Sequence, residues 1–208
     1  MKLFGTGTSR IAHIACLVTA LALGACAAQT QPSRFYVLEP LGTDARMAGP
    51  DPAAGPRLAI GPVKLPKHLG RTQMVVHRSG NRIDLLEFDR WGEELDENMT
   101  RVLTENLSLL VPTDRIAGYP WDRNIPIDYQ VTVDVARLAV QTDRRVALIA
   151  RWRIFDYRKR TLLVSGKSVA SETAPGQGSD GVAAALSTGL AKVSRDIAAA
   201  VRGLKAGS

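Results

Sequence analysis

Three hydrophobic rhythms divide the chain. The first is a run: Ile11 to Leu23 is almost wholly apolar and uncharged, with His13 the awkward residue. The second is helical. Leu95, Met99, Val102, Leu103, Leu107 and Leu110 recur at three- and four-residue spacing, as do Val182, Leu186, Leu190, Val193, Ile197 and Val201. Each set puts one apolar stripe on an amphipathic helix. The third rhythm is alternation. Ile127, Tyr129, Val131, Val133 and Val135 alternate with polar residues, and Leu138 and Val140 resume on the shifted parity, which predicts a bulge near Ala136 or Arg137. Val146, Leu148, Ala150, Trp152 and Ile154 alternate again, and Thr161 to Glu172 reads as a third strand.

Short links through Thr142-Asp143 and Arg158-Lys159-Arg160 imply that these three strands form an antiparallel meander. Upstream, Arg34 to Leu38 and Arg57 to Val63 read as strands, separated by a loose Gly42 to Pro56 loop. Gln73 to His77 and Arg82 to Leu86 read as a hairpin turned at Ser79-Gly80-Asn81. Acidic Glu93, Glu94, Asp96 and Glu97 suit the start of the first helix through its dipole, and Pro112 marks its end. The sum is one α+β domain: a mostly antiparallel sheet with two main helices packed on one face.

The apolar run has a further meaning. Basic Lys2 and Arg10 precede it and Leu23-Gly24-Ala25-Cys26 closes it. A basic start, a short apolar stretch and small residues before a cut site make a secretory signal. The run is short for a bilayer span, which needs about 20 apolar residues. Leu23, Gly24, Ala25 and Cys26 match the bacterial lipobox, in which the Cys26 thiol accepts a diacylglyceryl group before cleavage. An ordinary secreted protein is the alternative. Cys16, inside the run, lacks the preceding small residues and leaves with the signal. The expected division is 1–25 signal peptide, 26–33 lipidated tether and 34–205 folded domain. Several acyl chains on Cys26 anchor stably where one does not. Ala27 and Ala28 follow in place of the Asp that retains many lipoproteins at the inner membrane, so the expected site is the outer membrane, facing the periplasm.

Charge and cysteine content narrow the partners. The whole chain carries 27 Lys+Arg against 20 Asp+Glu, and the signal removes two of the basic residues. The mature chain is mildly basic and lacks an aromatic-basic platform, which argues against nucleic acid. With Cys26 lipidated, no intramolecular disulfide can form, and the fold rests on its core.

Candidate chemistry is sparse. Gly176 to Gly181 spells GxGxxG before a helix, but the chain ends after that helix, so no second parallel strand completes a dinucleotide site. It reads as a glycine loop. His68 and His77 have no ligand neighbours at metal spacing, and they read as surface histidines. No Gly-x-Ser-x-Gly elbow is present. The residues thus point to no catalytic group, cofactor or metal. Trp152 reads as core, and Trp91 as a staple before the first helix. Trp121, in the Tyr119-Pro120-Trp121 loop, is the best aromatic anchor for a partner or lipid, with packing over the domain's own edge as the alternative. Arg151 and Arg153 point away from Trp152 and lay a positive strip on the opposite sheet face, either for a partner or simply solvated.

Several of these segments occur together in one family. Arg34-Phe35-Tyr36-Val37-Leu38 soon after a lipobox, Ile60-Gly61-Pro62-Val63 with Pro66, and Gln73 to Arg78 stand in its order. So do Phe88-Asp89-Arg90-Trp91 with Glu94-Leu95, the Tyr119-Pro120-Trp121 loop and Asp128-Tyr129-Gln130-Val131. The chain resembles the PqiC/YmbA-type auxiliary lipoproteins of ABC-type transport systems across nearly the whole mature domain. The resemblance implies a non-catalytic subunit that docks an MCE-domain protein of a membrane-bridging transporter at the outer membrane. It further implies a part in intermembrane lipid transport and membrane integrity, and homo-oligomers around a symmetric partner. An envelope structural or assembly lipoprotein without lipid cargo is the other reading.

Overall fold

The computed structural model describes residues 31–47, 53, 55–78 and 81–206. The signal run, Cys26 and the Ser79-Gly80 turn positions lie outside the described residues. The folded domain is the compact unit Ser33–Ser208.

Among the described residues, eight strands and two α-helices build it: β1 (Arg34–Tyr36), β2 (Leu58–Lys64), β3 (Gln73–His77), β4 (Ile83–Trp91), α1 (Leu95–Leu110), β5 (Ile116–Gly118), β6 (Tyr129–Val140), β7 (Arg145–Asp156), β8 (Thr161–Thr173) and α2 (Ser179–Ala206). They form an α+β domain with two sheets. The larger has the order β5-β2-β6-β7-β8 and the smaller β1-β4-β3. The β6-β7-β8 meander is antiparallel, as its short links predict, and its register shifts between Val135 and Arg137, at the predicted bulge. Outside the meander the larger sheet is parallel: β2 runs parallel to both β5 and β6. In the smaller sheet β1 runs parallel to β4.

Both helices cover the same face of the larger sheet. α1 lies over β2 and β5, α2 lies over β7 and β8, and the helices touch each other. The periodicity explains this arrangement. Every member of the two helical stripes is buried, and so are Val131, Val133, Val135, Val146, Leu148, Ala150 and Ile154 on the facing side of the sheet. Burying a residue of this size contributes about 1.5–3 kcal/mol, so the two stripes and the sheet face dominate the fold's stability. Trp91 closes β4 inside this core. Trp152 is buried too. Its ring lies over Gly166, where an added Cβ would collide with the indole, and its Nε1–H donates to Ser168 Oγ at 3.0 Å.

A polar device ties the N-terminal segment down. Asp89 is buried and accepts from Arg34 Nε at 2.8 Å, Arg34 Nη2 at 3.0 Å and the Tyr36 hydroxyl at 3.0 Å, locking β1 to β4. Beyond β1 the chain crosses both helices. The Leu38 amide donates to Asn98 Oδ1, the Glu39 amide to Ser187 Oγ and the Leu41 amide to Asn106 Oδ1 at 2.7 Å. Asn98 and Asn106 are fully buried, about two helical turns apart on α1. A strap of extended backbone has no ladder of its own, and these side chains satisfy its N–H groups.

Candidate functional site

The predicted contact residues gather at two neighbouring places on the larger sheet. The first is one end of the sheet. Gly61 in β2 has φ +114°, and a Cβ there would meet the Tyr119 Cβ at 2.7 Å. A glycine at that point therefore lets the Tyr119-Pro120-Trp121 loop close over β2. The Tyr119 amide donates to the Ile60 carbonyl at 2.8 Å, and Gln130 Nε2 donates to the Gly61 carbonyl at 3.0 Å. Tyr119 is 53% exposed. Trp121 is half-buried, with Tyr119 edge-on at 5.5 Å and Tyr157 edge-on at 6.3 Å. Trp121 thus packs on its own domain's edge, in an aromatic cluster whose Tyr119 and Tyr157 are open to solvent.

Tyr157 belongs to the β7–β8 turn. Its amide donates to the Asp128 carbonyl at 2.9 Å, which pins the turn to the start of β6. Asp128 in turn holds Arg57 through two side-chain bonds, at 3.0 and 2.5 Å, and accepts the Arg57 amide at 3.0 Å. The Arg57 guanidinium keeps the Asp128 carboxyl below its ordinary value, against the opposing effect of its burial. An open groove of about 700 Å³ runs beside the turn, lined by Gln130, Thr132, Phe155, Tyr157, Arg158 and Arg160 among others.

The second place is the helix-free face. Arg151 and Arg153 are exposed on it, as their parity predicts, and Lys167 pairs in register with Arg151. Asp134 stands opposite Arg151 on β6. A shallow groove of about 470 Å³ runs among these side chains.

The histidines depart from the sequence reading. His77 is half-buried, its Nδ1 is enclosed without a hydrogen-bond partner, and the His68 ring stands edge-on at 6.2 Å. Burial first, then His68 and Arg137, push the His77 pKa below its ordinary value. Nothing at helical or strand spacing signals this pairing, because His68 sits in the turn before β3. Among the described residues no three potential ligands gather to hold a metal ion. The GxGxxG stretch is a loop: Gly176 and Gly178 take positive φ between β8 and α2.

Sequence reasoning missed Asn98, Asn106 and Asp89. The signal was present: a polar residue on an apolar helical stripe, as Asn106 is beside Leu103 and Leu107, marks a buried hydrogen-bond duty.

The domain is thus a sheet covered on one face by two helices, with aromatic and basic groups on its end and open face. Among the described residues no helix is long and apolar enough to cross a membrane. The profile of the ABC-type transport auxiliary lipoprotein component matches residues 36–198, and the chain belongs to that family. A crystal structure of a Xanthomonas campestris protein is similar at 12% identity and a TM-score of 0.66, covering 85% of this chain and 100% of its own. Another crystal structure, of an uncharacterized protein, is similar at 19% identity and a TM-score of 0.65, covering 82% of this chain and 99% of its own. No curated protein matches.

Proposed function

We propose that this chain is a lipid-anchored, non-catalytic subunit that ties an MCE-domain protein of a membrane-bridging ABC-type transporter to the outer membrane. The match to the transport auxiliary lipoprotein family over residues 36–198 carries the reading. The lipobox Leu23-Gly24-Ala25-Cys26 supports the anchor. In this reading residues 1–25 are removed, Cys26 carries the lipid, and residues 26–33 lead to the domain at 34–205. The domain faces the periplasm and assembles as a homo-oligomer around its partner, supporting lipid movement and membrane integrity. Tyr119, Trp121, Arg151 and Arg153 are its contact residues, because they lie on the end and face that the helices leave uncovered.

Crosslinking the native lipoprotein in cells, followed by mass spectrometry of what accompanies it, tests this. Recovery of an MCE-domain protein is the expected result. Recovery of outer-membrane assembly factors alone refutes the transport role in favour of a structural lipoprotein. Cys26→Ser separately tests the anchor: the variant should leave the membrane fraction as a folded domain.

A further inference from the structure

The end of the larger sheet holds more than an aromatic cluster. Beside Tyr119, Trp121 and Tyr157, the neighbouring chain leaves two aliphatic side chains in water: Ile125 is 45% exposed and Leu162 52%. Leu162 pairs in register with Phe155, whose side chain lines the groove beside Tyr157. Exposed apolar groups in this loop and this turn, beside the ring cluster of Tyr119, Trp121 and Tyr157, suit a contact surface.

The charges at this end point one way. Arg123, Arg158, Lys159 and Arg160 are exposed. The nearby acids are engaged by local hydrogen bonds. Asp156 Oδ1 accepts the amides of Arg158 and Lys159, at 3.0 and 2.9 Å, and Asp122 Oδ1 accepts the amide of Asn124 at 2.9 Å. Asp128 is held by Arg57. Arg158 and Lys159 reach acids only at 4.0 and 3.9 Å, with side chains 69% and 79% exposed. Among the described residues no acid pairs with Arg123 or Arg160. The carboxylates thus serve their own turns while the cations extend into solvent.

We propose that this tip, formed by the 119–125 loop and the β7–β8 turn, docks on an anionic lipid surface. The cations would meet headgroup phosphates, and the Trp121 cluster and Leu162 would sit at the headgroup level. Trp and Tyr, apolar in body and polar at one end, favour that depth. Basic residues near an anionic leaflet add attraction that salt screens. Trp and Tyr rings, flanked by cations held by no close acid among the described residues, match the composition of a membrane-interface contact, and an acidic protein face is the competing outcome of the test. This contact is distinct from the Cys26 anchor, and it assigns the Tyr119 and Trp121 contacts of the proposed function to lipid.

The test uses the domain beginning at Ser33. Ser33–Ser208 is a compact unit with its own core, and the similar crystal structures span 82–85% of this chain and nearly all of their own length. The domain is mixed with vesicles of phosphatidylcholine alone or with one-third phosphatidylglycerol, then sedimented. Trp91 and Trp152 are buried, so a lipid-induced blue shift in emission reports Trp121. The expected result is binding to anionic vesicles only, weakened by salt, with a blue shift. Lys159→Glu with Arg158→Gln alters two exposed side chains and should weaken binding at least fivefold per lost cation, as about 1 kcal/mol each requires. Trp121→Phe should bind but abolish the shift. No binding to anionic vesicles overturns the proposal, as does binding that the charge variant leaves intact. Capture of an acidic protein by the same tip, with vesicles ignored, also overturns it. Because neither Cys26 nor a transporter protein is present, failure here leaves the anchor and docking reading standing.

Discussion

Replacing Asn106 with alanine tests the strap. The side chain is fully buried, accepts the Leu41 amide at 2.7 Å and donates to Ser194 Oγ at 3.0 Å. Ser194 itself donates to the Leu190 carbonyl at 2.9 Å, so it keeps one bond. Two lost hydrogen bonds cost about 1 kcal/mol each, and a half-buried Leu41 amide left without a partner costs about 1 kcal/mol more. Alanine returns about 0.5 kcal/mol of helix propensity. The net expected destabilisation is about 2–3 kcal/mol, or about 5–10 °C in melting temperature for a domain of this size. Circular dichroism melts of the Ser33 domain measure the global loss. Hydrogen exchange at the Leu41 amide measures the local one, and should accelerate well beyond the global change. Ser194→Ala supplies the cycle: combined with Asn106→Ala it should cost less than the sum of the two single changes, since they share a bond. A loss under about 0.5 kcal/mol with the Leu41 amide still protected would refute the reasoning, because the amide would then be satisfied without Asn106.

Three further outcomes rest on the same packing. Gly166→Ala forces the Trp152 indole off its seat, breaks its bond to Ser168 and should cost about 2 kcal/mol with a changed near-ultraviolet signal; an unchanged melt would show that the ring shifts freely. His77 resists protonation in the folded state, so between its ordinary pKa of 6.5 and its lower folded value the unfolded chain binds more protons. Stability should therefore fall as pH drops below about 6.5, and His77→Gln should flatten that slope in denaturant titrations. Gly61→Ala, at φ +114° and against the Tyr119 Cβ, should loosen the Tyr119-Pro120-Trp121 loop and raise its exchange rate.

Local rhythm and long-range pairing were legible to different degrees. The helical stripes at Leu95–Leu110 and Val182–Val201 and the alternation of β6 and β7 arise from burial on one face, so they are written in the residues themselves. The bulge after Val135 was readable for the same reason, because a parity change within one strand marks an extra residue. The parallel partners of β2 were not readable. Its pairing with β6 joins Leu58 to Tyr129, and no local feature records a contact across that separation. The three-residue β5 is too short for any period. At the candidate site, Arg151 and Arg153 followed from parity with Trp152. The meeting of Trp121 with Tyr157 did not, because it depends on where two loops from different strands end.

The strap also has a mechanical meaning. Any pull on the chain ahead of Ser33 enters the domain at Arg34, through three residues of β1 and one carboxylate, Asp89. That latch lies at the margin, outside the five-stranded sheet and the helix pair. Under load it should yield first, followed by the amide contacts at Leu38 and Leu41, with Tyr36 and Leu38 drawn out of the core. Each released residue adds about 3.3–3.6 Å of reach. Residues 37–47, once released in that order, would act as a reserve of slack between the tether and the sheets.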